Sequence, residues 1–228
     1  DSRRRPSSAL PRCPTAGCHG HSEKNGGGKF AEIISSQLEH DKYHLTSDGK
    51  EQVKKVIKQL KKIGGVDMII SSPFIRTKET AHMVAEAFGH KVHIDDRIME
   101  FQHGLLCEGR TSHVCGLEKE PRKWDTKYGE EESWGELRRR MSQALRDIDS
   151  KHEGKKILLV SHGDPAWILE TFTLGMAKEE VIPRREELFP SEGQLKKLDL
   201  KNWPYDEDGE LDMHRPYIDR IILKCGKC

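Results

Sequence analysis

The stretch KKILLVSHG, residues 155–163, decides the fold. Its run Ile157–Val160 is continuously apolar, which is typical of a strand inside a parallel sheet that is covered on both faces. The strand ends next to His162, and Gly163 allows the backbone to approach a neighbouring group closely at this point. Ligands of parallel α/β sheets bind beyond the carboxyl ends of the strands. The stretch therefore predicts a central strand with a candidate binding residue at its tip.

The segments around this strand alternate between helix and strand patterns. Apolar residues recur at helical spacing within 47–63, and helices are also predicted over 72–89, over 132–152 and after Gly163. Short strands are predicted over 66–71 and 91–94. This alternation predicts an α/β fold with a mostly parallel sheet and helices on both of its faces.

A second strand also ends in informative residues, within SSPFIRTKETA at 71–81. Arg76 falls just inside the helix that follows, beside backbone N–H groups that are positively polarised. Taken alone, Arg76 is a solvated helix residue and His162 is a capping or core histidine. At the same edge of one sheet, however, the two predict an anion site. Such a site suits phosphate, because arginine offers a planar fork of donors and histidine adds another.

Five stretches resemble, in order, the motifs of the histidine phosphatase superfamily in its phosphoglycerate-mutase-like branch. They are CHGHSEKN (18–25), LTSDGKEQV (45–53), SSPFIRTKETA (71–81), RIMEFQHGLLCEG (97–109) and LLVSHG (158–163). The resemblance implies a three-layer α/β fold of the phosphoglycerate-mutase type. It also implies phosphoryl transfer, or hydrolysis of a phosphomonoester, through a phosphohistidine.

The resemblance gives roles to five residues. His19 is implied as the nucleophile, and Glu100 as the acid that protonates the leaving oxygen. Arg76 and His162 are implied to hold the phosphate oxygens, with His162 also counted among the catalytic residues, and Asn25 to add a polar contact. The family chemistry implies no metal and no cofactor, and the implied partner is a phosphorylated small molecule.

The sequence departs from the family pattern in front of the nucleophile. The family has arginine directly before the histidine, whereas this chain has Cys18, and a thiol cannot replace a guanidinium charge. Residues 1–18 show neither a strand nor a helix period, which predicts a disordered or foreign leader and a sheet without its first strand. Loss of one preorganised donor typically costs about 10²–10³ in rate, so impaired activity is expected.

The end of the chain supports an alternative. The stretch GELDMHRPYIDRIILKCGKC, 209–228, resembles the segment of isoleucyl-tRNA synthetases that follows the editing insertion. The predicted organisation is thus a leader (1–18), a histidine-phosphatase-like domain (19–190) and a synthetase-like fragment (191–228). The resemblance implies that the chain is a fragment of a longer isoleucyl-tRNA synthetase-like chain that carries the phosphatase-like domain as an insertion. In the alternative, this domain is a non-catalytic insertion module of an isoleucyl-tRNA synthetase, an aminoacyl-tRNA ligase. Any tRNA or ATP would then bind only through a longer parent chain.

The composition excludes some classes of function. The 39 Lys and Arg residues balance 38 Asp and Glu residues, so the chain carries no overall charge that favours nucleic acid. No apolar run approaches the roughly 18 residues of a membrane span. Six cysteines without a framework spacing predict reduced thiols, and Cys225 and Cys228 form only half of a zinc site. We therefore expect a cytoplasmic protein without a membrane partner or a bound metal.

Overall fold

The computed structural model describes residues 15–25, 40–110, 124–125, 127, 129–198 and 200. In chain order, the elements are β1 (Thr15–Cys18), α1 (Ser47–Lys62), β2 (Met68–Ser71), α2 (Ile75–Phe88), β3 (Val92–Ile94), a 3-10 turn (Asp96–Ile98), α3 (Trp134–Lys151), β4 (Ile157–Ser161), α4 (Gly163–Thr173), α5 (Lys178–Val181), α6 (Arg185–Leu188) and β5 (Leu195–Lys197). The strands and long helices predicted from apolar periodicity are all present, with shifts of a few residues at their ends.

The five strands form one sheet in the order β3-β2-β4-β1-β5. The pairs β2–β3, β2–β4 and β1–β4 are parallel, and only β5 runs antiparallel, beside β1. The predicted α/β class with a mostly parallel sheet is therefore confirmed. Strand β4 occupies the centre, as its apolar run indicated.

Side chains of β4 alternate between two buried clusters, one on each face of the sheet. Leu158 and Val160 pack with the apolar residues of α1 and α2. Ile157 and Leu159 pack on the opposite face with those of α3 and α4. Both faces of the central strand are thus covered by helices, which explains why it contains no polar residue before Ser161.

The first strand is present, so the prediction that the sheet lacks it is wrong. Residues Thr15 to Cys18 pair in parallel with Leu158 to Ser161 of β4, and β5 pairs with their other edge. The segment TAGC has no branched apolar run, but its backbone lies inside the sheet, between the central strand β4 and the edge strand β5. Position in the sheet therefore outweighs the weak strand propensity of these small residues.

The sheet also extends past residue 190, where the sequence analysis ended the domain, because β5 pairs with β1. The leader up to residue 14 and the synthetase-like stretch 209–228 lie outside the described residues, and so does the Cys225–Cys228 pair. Of the two cysteines described, Cys18 is a free thiol and Cys107 is disulfide-bonded, so the prediction of reduced thiols is wrong for Cys107. Within the described ranges, no helix is long and apolar enough to cross a bilayer.

Candidate active site

His19 is placed directly by the first strand. Its N–H donates to the Ser161 carbonyl at 3.1 Å, which continues the pairing of β1 with β4. Its own carbonyl accepts from the Gly193 N–H at 2.8 Å, at the start of the segment that leads into β5. The backbone of His19 is therefore held from both sides at the carboxyl edge of the sheet.

The loop after His19 packs tightly against the first turn of α1. A Cβ atom on Gly20 would lie 2.6 Å from the Gly49 carbonyl oxygen, and one on Gly49 would lie 2.0 Å from the His21 carbonyl oxygen. Both contacts are with backbone, which cannot move aside easily. The glycine after His19 is thus required by close packing, which fixes the direction of the chain at His19.

The hydrogen bonds of His19 leave a lone pair on Nε2. The ring Nδ1 lies 2.6 Å from the Gly20 carbonyl oxygen, to which it can only donate. Nε2 accepts from the Arg76 Nε–H at 3.2 Å. Burial, and then the charge of Arg76, lower the pKa of His19 to about 3. The imidazole is therefore neutral at pH 7, which is the form that can attack phosphorus.

Arg76 donates hydrogen bonds to both His19 and His162. The Arg76 Nη2 donates to the His162 Nδ1 at 3.1 Å, and the two imidazole centroids are 5.4 Å apart. The Ser72 hydroxyl lies 2.8 Å from the His162 Nε2. Burial, and then Arg76, hold the pKa of His162 well below its usual value. Both histidines are consequently neutral, and the positive charge of this cluster belongs to Arg76.

Arg76 keeps one donor group unused. The side chain is 1% exposed and stacks on the Phe74 ring with the guanidinium carbon 4.6 Å from its centroid. The buried Nη1 has no hydrogen-bond partner in the described part of the chain. A buried guanidinium N–H without a partner is costly, so this group is available to donate to an anion that binds beside His19.

Glu100 lies beside the same ring nitrogen of His162 that Arg76 contacts. Its Oε2 is 3.7 Å from the His162 Nδ1, and its Oε1 accepts from the Phe101 N–H at 2.9 Å. Burial, and then the neighbouring charge of Asp164, raise the pKa of Glu100. A raised pKa keeps a larger fraction of this carboxyl protonated near neutral pH, as a general acid requires.

His19 and Glu100 border a cavity of about 340 Å³, whereas Arg76 and His162 lie behind its wall. Its wall contains Cys18, His19, Asn25, Glu100, Gly163, Asp164 and the segment 189–192. The volume is at the small end of the range for ligand sites, which fits a small phosphate ester.

The structure brings His19, Arg76, His162 and Glu100 together, as the sequence analysis expected of them. Asn25 reaches the cavity wall, but its Oδ1 accepts from the backbone and the hydroxyl of Ser22, at 3.1 and 2.6 Å. Asn25 therefore also holds the loop in place.

Sequence reasoning missed three parts of the site. Ser72 stands in the quoted SSP motif directly after β2, and that position was the available signal for its contact with His162. Asp164 follows the SHG motif at the start of α4. No sequence pattern predicted that the segment 189–192 forms part of the wall. The two helices before it have four residues each, which is too short to show a helical period.

Comparison with known proteins identifies the family. A family model described as the histidine phosphatase superfamily, branch 1, matches residues 17–186, which is most of the chain. The chain belongs to the histidine phosphatase superfamily. The match begins two residues before His19 and includes all five residues to which the sequence resemblance gave roles.

Curated relatives of this histidine phosphatase include the probable phosphoglycerate mutase GpmB of Shigella dysenteriae. That protein is 33% identical over 141 residues, which are 58% of this chain and 64% of the relative. GpmB of Escherichia coli strain K12 matches with the same identity and coverage. The chain thus spans slightly less than two thirds of the length of these relatives.

Solved structures share the fold of this histidine phosphatase at low sequence identity. A mycobacterial glucosyl-3-phosphoglycerate phosphatase in complex with VO3 has a TM-score of 0.68 at 17% identity and covers 88% of this chain and 94% of its own. A phosphoserine phosphatase from Entamoeba histolytica in complex with 3-phosphoglyceric acid has a TM-score of 0.61 at 22% identity and covers 82% and 89%. The three-layer phosphoglycerate-mutase-like fold expected from the motifs is therefore confirmed.

Proposed function

We propose that this histidine phosphatase hydrolyses small phosphomonoesters through a phosphohistidine formed on His19. The observation that supports this most directly is the neutral imidazole of His19, whose Nε2 lone pair faces the Arg76 guanidinium at 3.2 Å. His19 and Glu100 line one cavity of suitable size, and the Arg76 guanidinium contacts His19 from behind. This set supplies the parts that a metal-independent transfer of a phosphoryl group needs.

In the first step, the Nε2 lone pair of His19 attacks phosphorus and the ester P–O bond breaks. The leaving alkoxide takes the proton of Glu100, because an unprotonated alkoxide leaves poorly. The Gly20 carbonyl accepts from Nδ1–H throughout and stabilises the positive charge that the imidazole gains. The products of this step are the alcohol and a phosphohistidine.

In the second step, water attacks the phosphohistidine and the P–N bond breaks. The Glu100 carboxylate now accepts a proton from this water, which returns the acid to its starting state. His19 again carries a lone pair on Nε2, and inorganic phosphate leaves.

Arg76 must change partners during this cycle. Its Nε–H contacts the same Nε2 that would bind phosphorus, so the incoming phosphate oxygens replace this bond. The unpartnered Nη1 adds a second donor toward these oxygens. The guanidinium therefore stabilises the charge that spreads over the oxygens in the transition state.

The substrate class is a phosphorylated small molecule. In support, solved structures with this fold include a phosphatase whose complex contains 3-phosphoglyceric acid, and the curated relatives are named probable phosphoglycerate mutases. Cys18 is expected to lower turnover, since its thiol supplies no charge where the family resemblance implies a guanidinium. If nothing replaced that donor, the loss would be about 10²–10³ in rate.

The proposal is tested by the hydrolysis of p-nitrophenyl phosphate with and without EDTA, together with inhibition by orthovanadate. We expect slow but measurable turnover that EDTA does not change, and competitive inhibition by vanadate. A chain that neither hydrolyses the ester above the buffer rate nor binds vanadate would overturn the proposal.

Glu100→Gln should separate substrates by their leaving groups. The amide cannot protonate an alkoxide, so kcat for an alkyl phosphate should fall by about 10²–10⁴. The loss for p-nitrophenyl phosphate should be much smaller, because p-nitrophenolate leaves without a proton.

The pH profile of the unmodified protein checks the same assignment. Activity on the alkyl ester should fall as pH rises through the raised pKa of Glu100, because the acid is then ionised. It should persist in acid until His19 is protonated, at a pKa of about 3. Equal losses on both esters in Glu100→Gln would contradict the role of Glu100.

A second candidate function rests on the sequence resemblance of residues 209–228 to isoleucyl-tRNA synthetases. In that case the domain is a non-catalytic module of a longer aminoacyl-tRNA ligase. Failure to bind vanadate, in a protein that retains its helical circular dichroism, would favour this candidate over the phosphatase.

A further inference from the structure

The cavity beside His19 is short of positive charge. Cys18 lines it, and burial raises the pKa of this thiol to about 12, so the side chain is neutral. Glu100, Asp164 and Glu192 also line the cavity, and none of its described lining residues is lysine or arginine. A doubly charged phosphate ester thus meets a wall with three carboxyl groups. Arg185 pairs with one of them, Asp164, at 2.9 Å, and the Arg76 guanidinium lies behind His19.

One lysine is placed near this cavity by a fixed turn, Ser22–Asn25. The Asn25 N–H donates to the Ser22 carbonyl at 2.8 Å, and the Asn25 Oδ1 accepts from the Ser22 hydroxyl at 2.6 Å. The N–H of Glu23 donates to the His44 carbonyl at 3.0 Å. Lys24 lies in this turn between Glu23, which faces His44, and Asn25, which lines the cavity.

The side chain of Lys24 is half-buried, yet its ammonium makes no hydrogen bond or ion pair within the described residues. Burial, and then the charge of Arg76, lower its pKa, whereas Glu100 opposes this effect. The charge of Lys24 in turn lowers the pKa of both His19 and His162. The geometric observation is that Lys24 precedes Asn25 of the cavity wall in a turn fixed by hydrogen bonds, and these charge effects agree with that placement.

We propose that Lys24 supplies the second cation of the phosphate site and so replaces, in part, the guanidinium that Cys18 lacks. This inference rests on the proposed phosphatase function. Lysine is a compact charge on a flexible stem of four carbons, so it can reach a phosphate oxygen from the neighbouring turn. It lacks the planar fork of arginine, and the replacement is therefore incomplete.

The test measures orthovanadate inhibition and kcat/KM for p-nitrophenyl phosphate in a set of variants. Lys24→Met should raise the vanadate inhibition constant by about 10–100-fold, because it removes a charge-assisted contact. Lys24→Arg keeps the charge and should remain within about threefold of the unmodified protein. Lys55→Met removes an exposed lysine of α1 and should change nothing.

The Cys18→Arg variant then tests whether Lys24 replaces the missing arginine or makes a contact that is independent of it. Because β1 is already in place, this single change puts a guanidinium beside His19. If Lys24 acts in its stead, Cys18→Arg should improve vanadate binding by about 100-fold in the Lys24→Met background but by about tenfold or less in the native background. Equal factors in the two backgrounds would show that the residues act independently and would overturn the inference.

The outcomes separate the two proposals. If the unmodified protein binds vanadate and Lys24→Met binds it within twofold, the inference fails while the phosphatase function stands. If the unmodified protein binds no vanadate, the phosphatase function fails and the inference fails with it. Should Cys18→Arg not fold, the contrast between Lys24→Met and Lys24→Arg still decides, since only loss of the charge should weaken binding.

Discussion

Replacing His19 by alanine is expected to abolish the hydrolysis of p-nitrophenyl phosphate, with a loss of about 10⁴-fold or more in kcat. The change removes the Nε2 lone pair that attacks phosphorus, and no other histidine occupies the same position. His162 is not expected to substitute, because His19 lines the cavity and His162 does not. Steady-state kinetics of the purified variant measure the effect.

His21→Ala is the matched control for this change. His21 is two residues away in the same loop, but its Nδ1 contacts the Thr46 hydroxyl at 2.9 Å rather than the phosphate position. We expect its kcat to stay within about fivefold of the unmodified protein, because only an anchor of the loop is weakened. Substantial activity in His19→Ala, or a complete loss in His21→Ala alone, would remove His19 as the nucleophile.

Replacing Arg76 by methionine should have the second largest effect. It removes the buried cation that contacts both His19 and His162, and it removes the unpartnered Nη1. We expect the vanadate inhibition constant to rise by about 10²–10³-fold and kcat to fall by a similar factor. The loss of Arg76 also removes its effect on His19, so the pKa of His19 should rise toward its ordinary value, which histidine NMR titration measures.

Arg138→Met is the control for burial. Arg138 is also 1% exposed, but it lies in α3, in the helical layer that covers the other face of the sheet. There it donates to the Met176 carbonyl at 2.9 Å. Its replacement should lower the melting temperature. The variant protein that remains folded should still bind vanadate as tightly as the unmodified protein does. If both variants lost vanadate binding equally, the effect of Arg76 would be one of stability rather than of phosphate contact.

The sequence alone was sufficient to predict the centre of the sheet and to place Arg76 and His162 at the same edge of it. The apolar run of β4 predicted a strand between two helical layers. The end of that strand then placed His162 at the carboxyl edge of the sheet. Arg76 followed from its place at the start of α2. These inferences succeeded because local periodicity and position at the sheet edge determine them.

The first strand and the wall of the cavity were not predictable in this way. The segment TAGC at Thr15–Cys18 has the composition of a loop, and it becomes a strand only because β4 and β5 offer pairing on both sides. The segment 189–192 reaches the cavity because the Gly193 N–H bonds to the His19 carbonyl. Such contacts between residues far apart in sequence leave no periodic signal.

The position of Lys24 illustrates the same limit. The motif CHGHSEKN gave roles to His19 and Asn25, and it gave none to the lysine between them. Its environment follows from the turn Ser22–Asn25, which is held by His44 and by the isolated bridge from Ser22 to Leu45. A charge that replaces a missing one elsewhere in the chain can be found only when both positions are seen in space.

The most direct test of the central claim is to identify the phosphorylated atom during turnover. The protein is mixed with p-nitrophenyl phosphate, quenched rapidly in alkali to preserve phosphohistidine, and digested with trypsin. The peptide 13–24 contains His19 and His21, and tandem mass spectrometry distinguishes them. We predict one phosphoryl group on His19 in the unmodified protein and none in His19→Ala. Turnover with this peptide unmodified, or with the phosphoryl group on His21, would contradict the account.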